Sequence, residues 1–394
     1  MRINLPTLFI ALLTLTVFMV MGCADEGSSG AVGPDSGPTS GTYIVISPGL
    51  THTCGIDTSQ SAGTLKCWGN NLYGQLGDGS QTDRLLPTVI DVGTVYTQVS
   101  VGAEHTCGIS STNILKCWGR NNFGQLGLGN TIDSSNPVAV AATLYASISI
   151  GGNSSCAIAS SGQLRCWGYN GYGSLGDNTT ANRNVPTDIN VGTLYKTISM
   201  GAISTCGTTN ADDLKCWGNN QYGQLGDGTT VNKMIPTFID SGVAYKKISS
   251  SLLASFYTCG LTTTDKIKCW GANQYGQLGD GTTTTHSLPI AINVSKNYSD
   301  LAVGYVHTCA IEKLTGQLSC WGKNEFGQLG DYTTTTRTSE VSSDTGRIYS
   351  SISLGYNYTC GRTDKNLLRC WGRNDYGQIG NNSTLDVYFP KSIQ

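Results

Sequence analysis

Two hydrophobic regimes divide the chain. From Ile3 to Met21 the residues are uncharged and mostly apolar. Beyond residue 42, apolar and polar positions alternate in short runs such as Tyr96-Thr97-Gln98-Val99-Ser100-Val101 and Tyr195-Lys196-Thr197-Ile198-Ser199-Met200. That period of two marks half-buried β-strands. Each run is followed by a second short strand carrying a cysteine, as in His105-Thr106-Cys107-Gly108-Ile109. A turn and a third strand ending on tryptophan come next, as in Ile114-Leu115-Lys116-Cys117-Trp118. Downstream, Pro87, Pro137, Pro186, Pro236, Pro289 and Pro390 each stand three places before an apolar residue, and the sixth copy, around Glu340, lacks the proline. Proline is tolerated at the first residue of a strand, so each predicts the start of a fourth strand.

The pattern is a repeat. The seven tryptophans, Trp68, Trp118, Trp167, Trp217, Trp270, Trp321 and Trp371, are separated by 50, 49, 50, 53, 51 and 50 residues. Each opens the phrase W-G-x-N-x-[YF]-G-[QS]-[LI]-G. Four short strands per unit of about 50 residues, seven times over, predict an all-β fold, a seven-bladed β-propeller spanning 43–394. The run Tyr43–Ser47 reads as a lone first strand and Tyr388–Ile393 as an orphan fourth strand. Joining both in one blade is expected to close the ring, because closure removes unpaired edges.

The phrases H-T-C, C-W-G-x-N and G-Q-L-G-D-G-T resemble those of the regulator of chromosome condensation (RCC1) repeat family across about residues 43–394. The resemblance implies a seven-bladed propeller that works by binding another macromolecule. One departure from the intracellular members is a cysteine pair in every repeat.

Composition bears on partners and compartment. Charged residues are 13% of the chain, against about 25% in an average domain. A net charge of -2 gives no basic field, so nucleic acid is not an expected partner. Arg2 and the apolar run read as a targeting segment, 1–22, ending at Val20-Met21-Gly22-Cys23. That ending resembles the lipobox of bacterial lipoproteins, which would make Cys23 the acylated mature N-terminus. A plain signal peptide and an uncleaved anchor helix are the alternatives, and each delivers the rest of the chain outside the cytoplasm. Residues 23–42, rich in Gly, Ser and Pro, read as a flexible tether. Ala24 after the cysteine resembles the sorting context of outer-membrane lipoproteins, so the expected location is the bacterial cell envelope, with the lipid as the sole membrane contact.

Besides Cys23, the cysteines form seven pairs: Cys54/Cys67, Cys107/Cys117, Cys156/Cys166, Cys206/Cys216, Cys259/Cys269, Cys309/Cys320 and Cys360/Cys370. Each pair lies on adjacent strands of one predicted hairpin. Nine intervening residues accommodate three cross-strand pairs and a three-residue loop, placing the cysteines about 4.5–5.5 Å apart, within disulfide reach. Zinc sites bring cysteines at closer spacing and need four ligands together, whereas these pairs are spread one per repeat. An exported chain meets an oxidising compartment, which favours disulfides.

No cofactor, metal site or catalytic group is expected. His52, His105 and His307 share one repeat position, where the other copies carry Ser154, Ser204, Tyr257 and Tyr358, and a recurring position reads as structural. His286, in a Thr-rich loop, reads as solvent-exposed. The pairs Asp78-Gly79, Asp227-Gly228 and Asp280-Gly281 lack the alternating acidic run of a calcium loop and read as turns. Two columns vary between copies. One, Arg84, Ser134, Arg183, Lys233, His286, Arg337 and Val387, forms either a partial basic rim or a set of local ion pairs. The other, inside W-G-x-N, holds Asn70, Arg120, Tyr169, Asn219, Ala272, Lys323 and Arg373, where recognition is expected because variable exposed positions flank a fixed scaffold. The expected function is a monomeric, lipid-anchored, non-enzymatic scaffold that binds a protein or glycan at the cell surface. Inhibition of an extracellular enzyme is the alternative, and guanine-nucleotide exchange, the role of the eukaryotic founder, ranks behind both.

Overall fold

A computed structural model describes residues 41–59, 61–252 and 256–393. The targeting segment, Cys23 and nearly all of the tether therefore lie outside the described residues. The chain divides into Met1–Ser36 and a compact unit, Gly37–Gln394. The described part of this unit contains strands, turns and bends and no helix.

The strands group into seven antiparallel four-stranded blades, each a meander of neighbours in sequence. The innermost strands are Tyr43–Pro48, Tyr96–Val101, the end of Ser134–Ile150, Tyr195–Met200, Tyr245–Ser250, Tyr298–Val303 and Tyr349–Leu354. Ser134–Ile150 is one continuous strand that serves as the outermost strand of blade 2 and the innermost of blade 3, fusing those two blades into a seven-stranded sheet. In the other blades a turn separates these two roles. Blade 2 lacks the Asp-x-Gly or Asn-x-Gly turn found at Asp91-Val92-Gly93 and Asn190-Val191-Gly192, and runs through Ala141-Ala142-Thr143 instead.

The ends of the chain do not share a blade. Tyr43–Pro48 pairs with His52–Asp57 in blade 1, and Val387–Ser392 pairs with Leu368–Gly372 in blade 7. A hairpin partner a few residues away costs far less loop entropy than one at the other end of the chain. The ring closes by packing blade 7 on blade 1, as every other neighbouring pair packs. An isolated bridge across this seam, Thr42↔Leu367, occupies the same place as Gln163↔Leu194 between blades 3 and 4. Two further sets of contacts recur around the ring and cross the seam. Gly49, Gly102, Gly151, Gly201, Gly304 and Gly355 each bring the backbone so close to the next blade that a Cβ would collide with it, Gly355 meeting the Gly49 carbonyl. The last glycine of each G-[QS]-[LI]-G phrase lies, at positive φ, against the indole of the next blade's tryptophan, from Gly77 on Trp118 to Gly380 on Trp68. Only glycine combines that conformation with that approach.

The prolines sit one step differently from expectation. Pro87 lies inside its strand, Arg84–Val89, and the pairing skips between Gly69↔Arg84 and Cys67↔Thr88, leaving it in a bulge on the outer edge. A missing N–H is harmless there. Glu340 replaces it in blade 6 and accepts hydrogen bonds from Asn293, Lys296 and Tyr298. Tyr96, Tyr245 and Tyr349 donate instead to Asp91, Asp240 and Asp344 of the preceding turns, and the turn before blade 6 has Asn293 at that position. Glu340 therefore restores a carboxylate that the local turn lacks.

Candidate functional site

Every cysteine pair of the repeats forms a disulfide within its own hairpin: Cys54–Cys67, Cys107–Cys117, Cys156–Cys166, Cys206–Cys216, Cys259–Cys269, Cys309–Cys320 and Cys360–Cys370. None joins two blades. The geometry corrects the spacing argument in two respects. The paired Cα atoms are 4.1 Å apart in all seven bridges, below the expected range of about 4.5–5.5 Å. The nine intervening residues also hold two cross-strand pairs and not three. Between Cys107 and Cys117 these are Gly108↔Lys116 and Ile109↔Leu115, followed by a longer turn with Asn113 at positive φ. The hairpins ending at Cys166, Cys216, Cys269 and Cys370 repeat this count. The one ending at Cys320 keeps two pairs with a turn one residue longer, and only Cys54–Cys67, with the longest connection, has three. Short Cα distances belong to the non-hydrogen-bonded pairs of an antiparallel ladder. All fourteen cysteines are buried, so the bridges belong to the scaffold and offer no surface to a partner.

The repeated phrase explains itself as an inter-blade clamp. The Gln378 carbonyl of blade 7 accepts from Trp68 Nε1 at 2.9 Å and from Thr53 Oγ1 at 2.8 Å in blade 1. Gln125, Gln277 and Gln328 serve their following blades in the same way. Asn71 folds its own loop, its carbonyl oxygen accepting from Leu76 N at 2.9 Å while its amide donates to Asp78 and to two loop carbonyls.

The three histidines are buried in this clamp. His52 Nε2 lies 2.8 Å from Thr106 Oγ1, whose own proton goes to the Gln75 carbonyl, so the imidazole is the donor. His105 with Ser155 and His307 with Thr359 repeat the arrangement. Nδ1 of each ring is buried and has no hydrogen-bond partner among the described residues. Burial holds all three far below the ordinary histidine value, at about 3. His286 is half-buried and not free as expected, with Nε2 3.0 Å from Asp280.

The first variable column is locally neutralised. Arg84 pairs with Asp78 at 2.5 Å, Arg183 with Asp177 at 2.6 Å, Lys233 with Asp227 at 3.2 Å and Arg337 with Asp331 at 2.9 Å. Burial alone would raise the Asp78 carboxyl, but hydrogen bonds from Ser80, Arg84 and Asn71 hold it below its ordinary value. Of these aspartates, Asp78 and Asp227 belong to Asp-Gly turns, Asp177 and Asp331 to turns continuing with Asn178 and Tyr332, and all four make the local ion pairs that the sequence admitted.

Part of the second column builds a surface: Arg120, Tyr169, Lys323 and Arg373 reach it, whereas Asn219 and Ala272, expected to be exposed, are buried. In an antiparallel meander the loops joining innermost to second strands and third to outermost strands emerge on the same face. There the aromatic of each phrase, namely Tyr73, Phe123, Tyr172, Tyr222, Tyr275, Phe326 and Tyr376, is half-buried or exposed. In five blades the following blade lays a side chain against it. Arg120 stands 4.4 Å from the Tyr73 ring centroid, Lys323 4.9 Å from Tyr275 and Arg373 5.2 Å from Phe326. Tyr169 meets Phe123 edge-on at 5.2 Å, and Phe256 stacks on Tyr222 at 5.3 Å. Carboxylates hold the cations: Glu104 takes Arg120, Glu325 takes Lys323 at 2.9 Å and Asp375 takes Arg373 at 2.5 Å. The result is a face of aromatic rings and fixed charges. Sequence reading singled out Arg120, Tyr169, Lys323 and Arg373, missed Phe256, and left the aromatics as motif; their recurrence in all seven copies was the available signal.

A closed ring of seven four-stranded blades whose loops clamp the next blade's tryptophan defines a β-propeller of a particular repeat class. Two profiles of the regulator of chromosome condensation (RCC1) repeat match, one at residues 63–109, 117–158, 216–252 and 269–311, the other at 96–125, 145–174, 255–277, 298–328 and 344–378. The chain belongs to the RCC1 repeat family. It is 31% identical over 143 residues to the ultraviolet-B receptor UVR8 of Arabidopsis thaliana, covering 35% of this chain and 32% of the receptor. It is 34% identical over 80 residues to the human probable E3 ubiquitin-protein ligase HERC4, covering 19% of this chain and 7% of the ligase. Among solved structures, human WBSCR16 superimposes with a TM-score of 0.75 at 18% identity, covering 84% of this chain and 94% of that one. Yeast RCC1 (Prp20), crystallised bound to Kap60, superimposes with a TM-score of 0.73 at 18% identity, covering 90% and 85%.

Proposed function

We propose that this protein is an exported, lipid-anchored binding scaffold, presenting the aromatic face of its propeller to a protein or glycan at the cell surface. The observation that carries this reading is that face itself. Aromatic rings and pre-oriented cations concentrate binding energy, and here rigid loops on a disulfide-stapled ring hold them. A protein of the same fold, yeast RCC1 (Prp20), was crystallised bound to a protein partner. The seven hairpin disulfides favour an oxidising compartment, and Val20-Met21-Gly22-Cys23 supplies the export and acylation signal.

The test is capture from cell-envelope extracts with the full chain and with a variant carrying Arg120→Ala, Tyr169→Ala, Lys323→Ala and Arg373→Ala. A partner retained by the wild type and lost by the variant supports the reading; equal retention by both refutes the assignment of this face. Independently, Cys23→Ala is expected to abolish fatty-acid labelling and release the protein from membranes. Labelling that survives would remove the anchor from the proposal.

A further inference from the structure

Three departures from the repeat converge on one cavity, at the ring-closing seam of the inner wall. The first is Arg362. On the second strands this position holds Ile56, Ile109, Ile158, Thr208, Leu261 and Ile311 in the other blades, all buried. In blade 7 it is an arginine. Its Nε donates to Ser350 Oγ at 3.1 Å and one terminal nitrogen reaches the Tyr43 carbonyl at 3.5 Å. No carboxylate pairs with it among the described residues, which leaves most of its five donors without a protein acceptor.

The second departure is Ser353. Around the inner wall, serines accept the next blade's backbone N–H: Ser47 from Val101, Ser100 from Ile150, Ser149 from Met200, Ser199 from Ser250 and Ser249 from Val303, each at 2.9–3.0 Å. The corresponding residue after Ser353 is Pro48, which has no N–H to give. The third is the pair Lys247 and Asp300, the charged members of a column that elsewhere reads Val45, Gln98, Ser147, Thr197 and Ser351. Asp300 accepts three hydrogen bonds, one oxygen taking Lys247 Nζ at 2.6 Å and Leu301 N at 2.9 Å, the other taking Ile352 N at 3.0 Å. Lys247 retains donors beyond that single bond.

Arg362, Lys247, Asp300, Ser351 and Ser353 line one cavity of about 240 Å³, walled on the blade 1 side by Ile44, Val45 and Ile46. A water occupies about 30 Å³ of liquid, so the cavity has room for a small polyatomic ligand. Its lining carries two cations and one carboxylate, a net charge of about +1, together with hydroxyl groups and an apolar wall. An unpaired guanidinium in a half-buried site is costly, and its planar fork matches two oxygens of a carboxylate or phosphate. We propose that this cavity is a binding site for a small oxyanion, held bidentately by Arg362 and singly by Lys247, with the Ser353 hydroxyl as a further donor.

The experiment is calorimetric titration of the purified full chain, at low ionic strength, with inorganic phosphate, acetate and succinate, and with glycerol as the neutral control. One saturable site for at least one anion and none for glycerol is expected; phosphate against succinate identifies the oxyanion. Arg362→Leu installs the residue that blade 5 carries at this position, and Lys247→Thr the residue of blade 4. Each is expected to weaken binding by about tenfold or more, the loss of one charge-assisted hydrogen-bonded contact, measured on protein that circular dichroism shows to be folded. Absence of saturable heat with every anion overturns the proposal, as does wild-type affinity in Lys247→Thr or in folded Arg362→Leu.

Discussion

At the scale of single residues, the buried histidines make the molecule acid-sensitive in a defined window. His52, His105 and His307 stay neutral in the fold down to about pH 3 because burial disfavours the imidazolium. In the unfolded chain they take up protons below about pH 6.5. The unfolded state therefore binds more protons between these limits, and their contribution, whole above pH 6.5, is lost as pH falls toward 3, by at most about 1.4 kcal/mol per histidine per pH unit. The aspartates of the loop ion pairs act lower. Asp78, Asp177 and Asp331 are held below 3.8, so their stabilisation is present above that value and lost as pH drops beneath it. Urea midpoints are expected to fall between pH 7 and pH 5 in the wild type. They should fall much less in a triple His→Tyr variant, which uses the residue blades 5 and 7 carry there. An equal fall in both would exclude the histidines as the cause.

At the scale of the element, each blade combines a stapled hairpin and a glycine clamp, and the two fail differently. Cys107→Ser with Cys117→Ser removes one covalent loop closure and is expected to cost about 2–3 kcal/mol or less, lowering the thermal midpoint without opening the ring. Gly380→Ala is more severe in kind. Its φ of 82° is strained for alanine, and the new Cβ would lie 2.7 Å from Trp68 Nε1. Left-handed strain and overpacking together are expected to cost about 2–5 kcal/mol, read as a shift of the urea midpoint. A change within error of wild type would show that the loop yields and that the clamp is not rigid. Strand pattern and hairpin pairing were legible in the alternation and the cysteine spacing. The continuity of Ser134–Ile150 was not, because Ala141-Ala142-Thr143 neither forms nor forbids a turn by composition alone.

At the scale of the molecule, the seam between the last and first blades is built like the other interfaces. Tyr358 OH donates to the His52 carbonyl at 2.9 Å across the seam, and Tyr257 OH donates to the His307 carbonyl at 2.7 Å between blades 5 and 6. Tyr358→Phe and Tyr257→Phe are therefore expected to destabilise to a similar degree, by about 0.5–1.5 kcal/mol each, since each removes a buried hydrogen bond while the Gly49 and Gly304 N–H groups still serve the two carbonyls. A negligible effect of Tyr358→Phe beside a clear effect of Tyr257→Phe would mean that the ring is open at its seam in solution.

Local and periodic properties were determined by the sequence alone. Seven tryptophan phrases at near-equal spacing specify seven blades, and facing cysteines specify bridges inside hairpins, because both depend on residues close along the chain. What crosses between blades was decided only by the tertiary structure. The loop cations at Arg84, Arg183, Lys233 and Arg337 are neutralised by aspartates of their own turns. Arg120, Lys323 and Arg373 instead lie on rings of the preceding blade. Nothing in spacing separates the two columns. A closed ring brings positions about 50 or 300 residues apart into contact, and which side chain meets which follows from the stacking of whole blades and not from any local preference of the chain.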